Sequence, residues 1–496
     1  MNYYLGIDLG TTGVKAAIVD SKAKIITTAY RRYSISIPQI GYAEQDPDTW
    51  WRCTCEVIKE AIAGSNIRPC DIKSVGFSGQ MHGCVMLDGK CNVLYPSIIH
   101  CDQRAYEEKQ EMISKIGFDN LGKWTQNQPH SGFQVLSLMW MRKNREDIYS
   151  KIKKVLLPKD FLRFKLTGEI ATEVTDACST LMFDNKKQNW SEDIIRKLDI
   201  SSDILPKADN RPQDIAGYVT KEAAEKTGLV EGTLVSFGAG DQVAQAVGNN
   251  IVKEGIASLT LGTSGQIFIP TTKLCYDKEL RLNVFSHAPE NTWYLLGAVL
   301  NACLAADWFT SNVLGGMNYS EMHKIASLSK PGSEGLIFMP YLTGERVPLM
   351  DEKARAGFIG LTLAHSRNDM ARAVLEGISY SLYDAMNVIF SLGISIDRFL
   401  LSGGGAKSPL WQHILADVFN RPMCISNISE QAALGAAKLA MVAAREYASI
   451  DEICEALPVQ VDNIIVPNSE NHMIYQEGYR RFTSCYKNNK NYFSSL

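Results

Sequence analysis

GIDLGTTGVKAAIVD, Gly6 to Asp20, places two strand-like runs around a turn of glycine and threonine. Leu5 to Asp8 and Val14 to Val19 carry the β-branched and small residues of strands, and Gly10 to Gly13 supplies the turn, so a hairpin is expected. About half a chain later the pattern returns. Ser258 to Leu261 enters, Gly262-Thr263-Ser264-Gly265 turns and Gln266 to Ile269 leaves. One turn design at the head of each half implies two copies of one domain plan facing each other across a cleft, although so short a string also recurs by chance.

Working outward, Lys73 to Phe77, Val155 to Leu157 and Leu234 to Phe237 are short apolar runs. Asp369 to Leu392 instead has helical spacing through Met370, Val374, Ile378, Leu382 and Met386. Arg398 to Leu401, three glycines and Pro409 to Phe419 read as strand, turn and helix. The alternation is that of an α/β protein. A chain of 496 residues exceeds what one core organises, so two domains are expected, 1–248 and 249–496, the second ending in a helical tail.

With 45% hydrophobic and 21% charged residues, global disorder is excluded, and a net charge of -3 gives no electrostatic basis for binding nucleic acid or a membrane surface. The partner is expected to be a small molecule. The twelve cysteines are scattered, and Cys53 and Cys55 lack the spacing of a zinc site, so reduced thiols in the cytoplasm are expected. Met1 to Asp8 reaches an acidic residue before any apolar leader could form, and no run of eighteen uncharged apolar residues occurs.

Phosphoryl transfer requires a metal carboxylate, donors around the phosphates and a group that deprotonates the attacking hydroxyl. Asp8 ends the first strand just before Thr11 and Thr12, where it could hold hydrated Mg²⁺, or simply cap the turn. Asp241 follows Gly238-Ala239-Gly240 at a strand end, a position for a general base or for a helix cap. SGQMHG, Ser78 to Gly83, brings Met81 and His82 after another strand; Gly403-Gly404-Gly405 suits a flat adenine or a tight turn. Gly117 to Lys123 spells a P-loop, but Trp124 stands where the motif needs Ser or Thr, and a charged helix is expected before it where a strand is required.

These strings, with AEQDPDTWW, VLLPKDFLRFKLTGEIA, FMPYLTGERVP and LSGGGAKSPLWQHILAD, resemble the FGGY carbohydrate kinases, and among them the xylulokinase group, from Leu5 to about Ala444. The resemblance implies two ribonuclease-H-like domains of the actin, hexokinase and Hsp70 superfamily with an interdomain cleft. Sugar would lie mainly on the first and ATP mainly on the second. Asp8 looks like the metal and phosphate aspartate, Asp241 like the base, and Met81, His82, Asp102, Arg104 and Gln242 like sugar contacts. Thr11, Thr12, Lys15, Gly262 and Thr263 would meet the phosphates, while Gly404, Gly405 and Ser408 would border the adenosine. The implied reaction is ATP-dependent phosphorylation of D-xylulose at a primary hydroxyl. Gln242 for Asn, His100 for Trp and Ser137 for Lys depart from the group's pattern and leave ribulose, gluconate, sedoheptulose or glycerol as alternatives. An actin- or Hsp70-like ATPase is the rival of another class, and a homodimer is left open.

Overall fold

The computed structural model describes residues 1–426 and 430–496. The opening hairpin forms as Tyr3–Leu9 and Gly13–Asp20, paired antiparallel from Tyr3 with Asp20 to Leu9 with Val14. Tyr3–Leu9 also pairs in parallel with Ile72–Gly79, which pairs in parallel with Leu234–Ser236. The strand is buried almost continuously because helices cover both faces of the sheet. Ile25–Arg32 closes the antiparallel side, and its mostly exposed residues mark an edge.

The second half repeats the plan. Gly255–Leu261 and Gly265–Thr271 form an antiparallel hairpin, and Gly255–Leu261 pairs in parallel with Ile396–Ser402, which pairs in parallel with Met423–Ile425. The two turns differ by one residue: Leu9 pairs with Val14, but Leu261 pairs with Gly265. The long helix Arg367–Phe390 opens on a capping box at Ser366 and Asp369, and Pro409–Phe419 starts at a Ser408 cap. The P-loop-like string instead follows the helix Tyr106–Ile116 and runs from the cap Gly117 into the helix Phe118–Trp124.

Two compact units result. The first contains Met1–Val252, Val284–Trp293 and residues 430–459; the second contains Lys253–Asn283, Tyr294 to 426 and Gln460–Leu496. Among the described residues no helix is long and apolar enough to cross a membrane.

The helix Gln431–Ala443 is buried on every side within the first unit, as a helix without a polar face must be. It approaches its neighbours through glycines. A Cβ at Gly6 would lie 1.9 Å from the Ala433 carbonyl oxygen, and one at Gly435 would lie 1.8 Å from that of Ala244. Backbone cannot yield there as a side-chain end could. Gly435→Ala is therefore expected to cost about 3 kcal/mol of unfolding free energy, measured by urea denaturation. An unchanged midpoint would contradict this packing.

Candidate functional site

In the first unit, parallel register brings three strand ends together. Asp8 lies opposite Ser78, and Ala239–Gly240 pairs in parallel with Ser78 and Gly79, so Asp241 starts its helix beside the SGQMHG segment. The carboxyl ends of neighbouring parallel strands are where α/β folds hold ligands. Asp8 Oδ1 accepts the Ser78 hydroxyl at 2.7 Å. Burial raises the Asp8 pKa, against the Ser78 hydrogen bond and the Lys15 charge, which lower it.

Asp241 Oδ1 accepts its neighbour's amide, Gln242 N, at 2.8 Å. Its pKa is pushed up to about 7, first by burial and then by the negative charge of Asp8. Two carboxyls that feel one another, one of them poised near neutrality, can divide the work of holding a cation and accepting a proton. Met81 leans on bare backbone beside them: a Cβ at Gly240 would meet its Cγ at 2.9 Å.

His82 takes a left-handed backbone conformation, φ 70°, which turns its ring toward Ser179. Its Nδ1 lies 2.8 Å from the Ser179 carbonyl, and its ring centroid is 4.4 Å from that of Phe133. Burial lowers its pKa to about 4, with His100 adding a smaller repulsion. The ring is therefore neutral near pH 7. Since a carbonyl only accepts, Nδ1 carries the proton and Nε2 is left as an acceptor.

The turn between the first two strands is held from outside by its carbonyls. Tyr33 Oη donates to Gly10 O at 2.5 Å, Gln45 Nε2 to Thr11 O at 2.7 Å and Tyr33 N to Thr12 O at 3.2 Å. The amides of Thr11 and Thr12 donate to nothing among the described residues. Free successive amides in a turn can form an anion-binding nest. Lys15 forms an ion pair with Glu430 and lies 5.6 Å from the Tyr30 ring centroid.

Asp102 and Arg104 are engaged with each other. The Asp102 carboxylate takes the Arg104 Nε at 2.9 Å and Nη2 at 2.8 Å, and accepts Ala43 N at 2.6 Å. Arg104 Nη2 also meets Glu44 at 2.8 Å, and the guanidinium is sandwiched 3.8 Å from the Tyr42 ring and 4.9 Å from Trp140. A buried guanidinium needs such counter-charge, and only Arg104 Nη1 is left without an internal partner in this cluster among the described residues. Ser137 is buried on the helix Gln134–Asn144, its hydroxyl without a partner among the described residues.

In the second unit, Gly262, Thr263, Gly404, Gly405 and Ser408 line one cavity of about 720 Å³. Cys303, Tyr319 and His323 also line it, and nothing in their local sequence marks them beyond ordinary helices. The three glycines serve different needs. Gly403 has φ 91° and packs on the Leu261 backbone; a Cβ at Gly405 would lie 2.9 Å from Leu261 and Trp411; a Cβ at Gly404 meets nothing within 4 Å. Gly404 is thus bare toward the cavity alone. Ser408 Oγ caps its helix by accepting Trp411 N at 3.3 Å.

Family models for the N-terminal and C-terminal domains of the FGGY family of carbohydrate kinases match residues 3–248 and 257–444. The chain belongs to the FGGY carbohydrate kinases. This FGGY kinase is 34% identical to the xylulose kinase of Escherichia coli strain K12 over 485 residues, 98% of either chain. A solved xyloylose kinase from Brucella ovis superposes with a TM-score of 0.92 at 33% identity, covering 99% of this chain and 100% of that one. A gluconate kinase from Lactobacillus acidophilus gives 0.94 at 26% identity, covering 100% and 99%. The FGGY kinase is accordingly an ATP-dependent sugar kinase with the two-domain α/β fold of the actin, hexokinase and Hsp70 group.

Proposed function

We propose that this kinase phosphorylates D-xylulose at its primary hydroxyl to give D-xylulose 5-phosphate. Asp241 takes the hydroxyl proton as the sugar oxygen bonds to the γ-phosphorus and the bond to the β,γ-bridging oxygen breaks, releasing ADP. The observation that carries this reading is the carboxyl pair, with the Asp241 pKa raised to about 7 beside Asp8 and Met81 resting on Gly240. A base poised near the working pH suits proton transfer.

Asp8 would hold Mg²⁺ through water; a carboxylate that burial leaves short of counter-charge fits a hydrated cation. When bound, Mg²⁺ neutralises charge on the phosphates. Thr11 and Thr12 would offer their amides to the transferring phosphate, and Gly262 and Thr263 would serve the nucleotide from the second turn. The adenosine would fill the 720 Å³ cavity against Gly404, with Gly405 and Ser408 shaping it. Gly404→Leu is then expected to raise KM for ATP about tenfold or more with little change in melting temperature, whereas Gly403→Ala destabilises the fold. If Gly404→Leu leaves KM for ATP unchanged, the adenosine lies elsewhere.

Met81 would pack on the sugar skeleton and His82 Nε2 would accept a sugar hydroxyl. Asp102 and Arg104 would act from behind, holding the Tyr42–Gln45 segment, and Lys15 would steer charge from its pair with Glu430. Gln242 keeps the amide chemistry of Asn with one more methylene, which favours a changed KM over a changed sugar. The similarity to a gluconate kinase supports gluconate as the second reading.

The test compares kcat/KM for D-xylulose, D-ribulose, L-ribulose, gluconate, sedoheptulose and glycerol, with and without His82→Ala. D-xylulose should lead, and His82→Ala should reduce its kcat/KM by about 10²-fold while KM for ATP moves little, because an unpaired buried hydroxyl is strongly disfavoured. Another sugar ahead by tenfold would overturn the assignment of D-xylulose.

A further inference from the structure

One buried side chain touches both the nest and the sugar-side strand end. Gln45, 3% exposed, lies on the two-residue strand Glu44–Gln45. Its Nε2 donates to Thr11 O at 2.7 Å, and its Oε1 accepts Trp50 Nε1 at 3.2 Å and Gln80 Nε2 at 2.9 Å. The orientation of this amide is forced. Indole nitrogen can only donate and a carbonyl can only accept, so Oε1 must face Trp50 and Nε2 must face Thr11. Gln80, facing that oxygen, must then present its own Nε2.

The consequence for the turn follows from peptide planarity. In a trans peptide the carbonyl and the following N–H point in opposite directions. Holding Thr11 O toward Gln45 therefore holds the Thr12 N–H away from Gln45, as part of the nest. At its other end, Gln45 makes the one side-chain hydrogen bond of Gln80 among the described residues, Gln80 Oε1 being buried without a partner. Gln80 N is also bonded to Leu9 O at 2.8 Å, and the residue immediately precedes Met81 and His82.

We infer that Gln45 is a positioning residue for phosphoryl transfer: through Gln80 and Thr11 it sets the sugar-side strand end and the phosphate-facing amide of Thr12 in one register. Gln45 is held to touch neither substrate. It acts by fixing the direction of a donor that matters most when the phosphoryl group is in flight, and so affects kcat more than binding. This rests on the assignments of the nest to phosphate and of Met81 and His82 to sugar.

The test uses Gln45→Met, which keeps length and volume but removes both hydrogen-bonding functions, with Gln80→Met and the double variant alongside. Gln45→Met should lower kcat about 30-fold or more while KM for ATP and sugar change by less than about threefold. Gln80→Met should cost less in kcat, and adding it to Gln45→Met should cost little further, because the link is already broken. A filler role would move melting temperature alone. If Gln45→Met does not fold, Gln45→Asn, which keeps the amide but is one methylene short of spanning both partners, should show the same loss of kcat. Folded Gln45→Met, or Gln45→Asn in its place, with kcat within about twofold of the parent overturns the inference, as does a fully multiplicative double variant. A wild-type enzyme that releases no ADP with any sugar in the panel would instead sink the underlying kinase assignment.

Discussion

Asp241→Asn lowers kcat by about 10²-fold or more while KM for ATP stays within about threefold, because the amide keeps the shape of the carboxylate but cannot take a proton. The same change makes the folded protein more stable at neutral and higher pH. The folded pKa of about 7 stands above the ordinary carboxylate value, so between those two values the folded chain keeps a proton that the unfolded chain has lost. Stability therefore falls as pH rises through this window, and above about 7 the full penalty of the buried charge is present. Asn removes it, for a gain on the order of 4 kcal/mol at pH 8 in the absence of ligands. Loss of turnover with gain of stability separates a functional carboxyl from a structural one. In the parent enzyme, kcat/KM for the sugar should fall about tenfold per pH unit below about 7. Near-normal turnover in Asp241→Asn, or a pH-independent kcat/KM between about 5.5 and 8, would remove Asp241 as the base.

Asp8→Ala cripples turnover to a similar extent, about 10²-fold or more, and raising Mg²⁺ restores only part of it, since the carboxylate both attracts the cation and fixes where it sits. This variant also reports on Asp241. The Asp8 charge is the second cause of the raised Asp241 pKa, after burial, so its removal shifts the midpoint of the residual kcat/KM profile to lower pH. Asp8→Asn should shift that midpoint in the same direction. Full activity in Asp8→Ala, or an unshifted midpoint, would contradict the pairing of the two carboxyls.

Both hairpins were legible because each carries its turn chemistry locally, and Asp8, Met81, His82 and Asp241 were legible because each follows an apolar run at a strand end. The helix Gln431–Ala443 could be read as buried from its composition, yet no local signal says that it packs against Gly6 and the Asp241–Gly248 helix of the first unit. Gln45 and Ser78 lie in strings that the sequence singles out, yet no local signal names their partners. Their roles depend on partners 34 and 70 residues away, and strand register brings Ser78 to Asp8. The family resemblance implies ligand contacts at Asp102 and Arg104. No local signal says that the Arg104 guanidinium lies between Tyr42 and Trp140 and pairs with Asp102 and Glu44. His82 gained a definite polarity only from Ser179, 97 residues away.

The most direct test of the central claim is ADP release by the purified protein with MgATP, with and without D-xylulose, alongside ³¹P NMR of the sugar product. The account predicts one ADP per D-xylulose 5-phosphate formed, and little ADP without sugar. ADP release that is indifferent to sugar, or that is stimulated only by a protein partner, would contradict it.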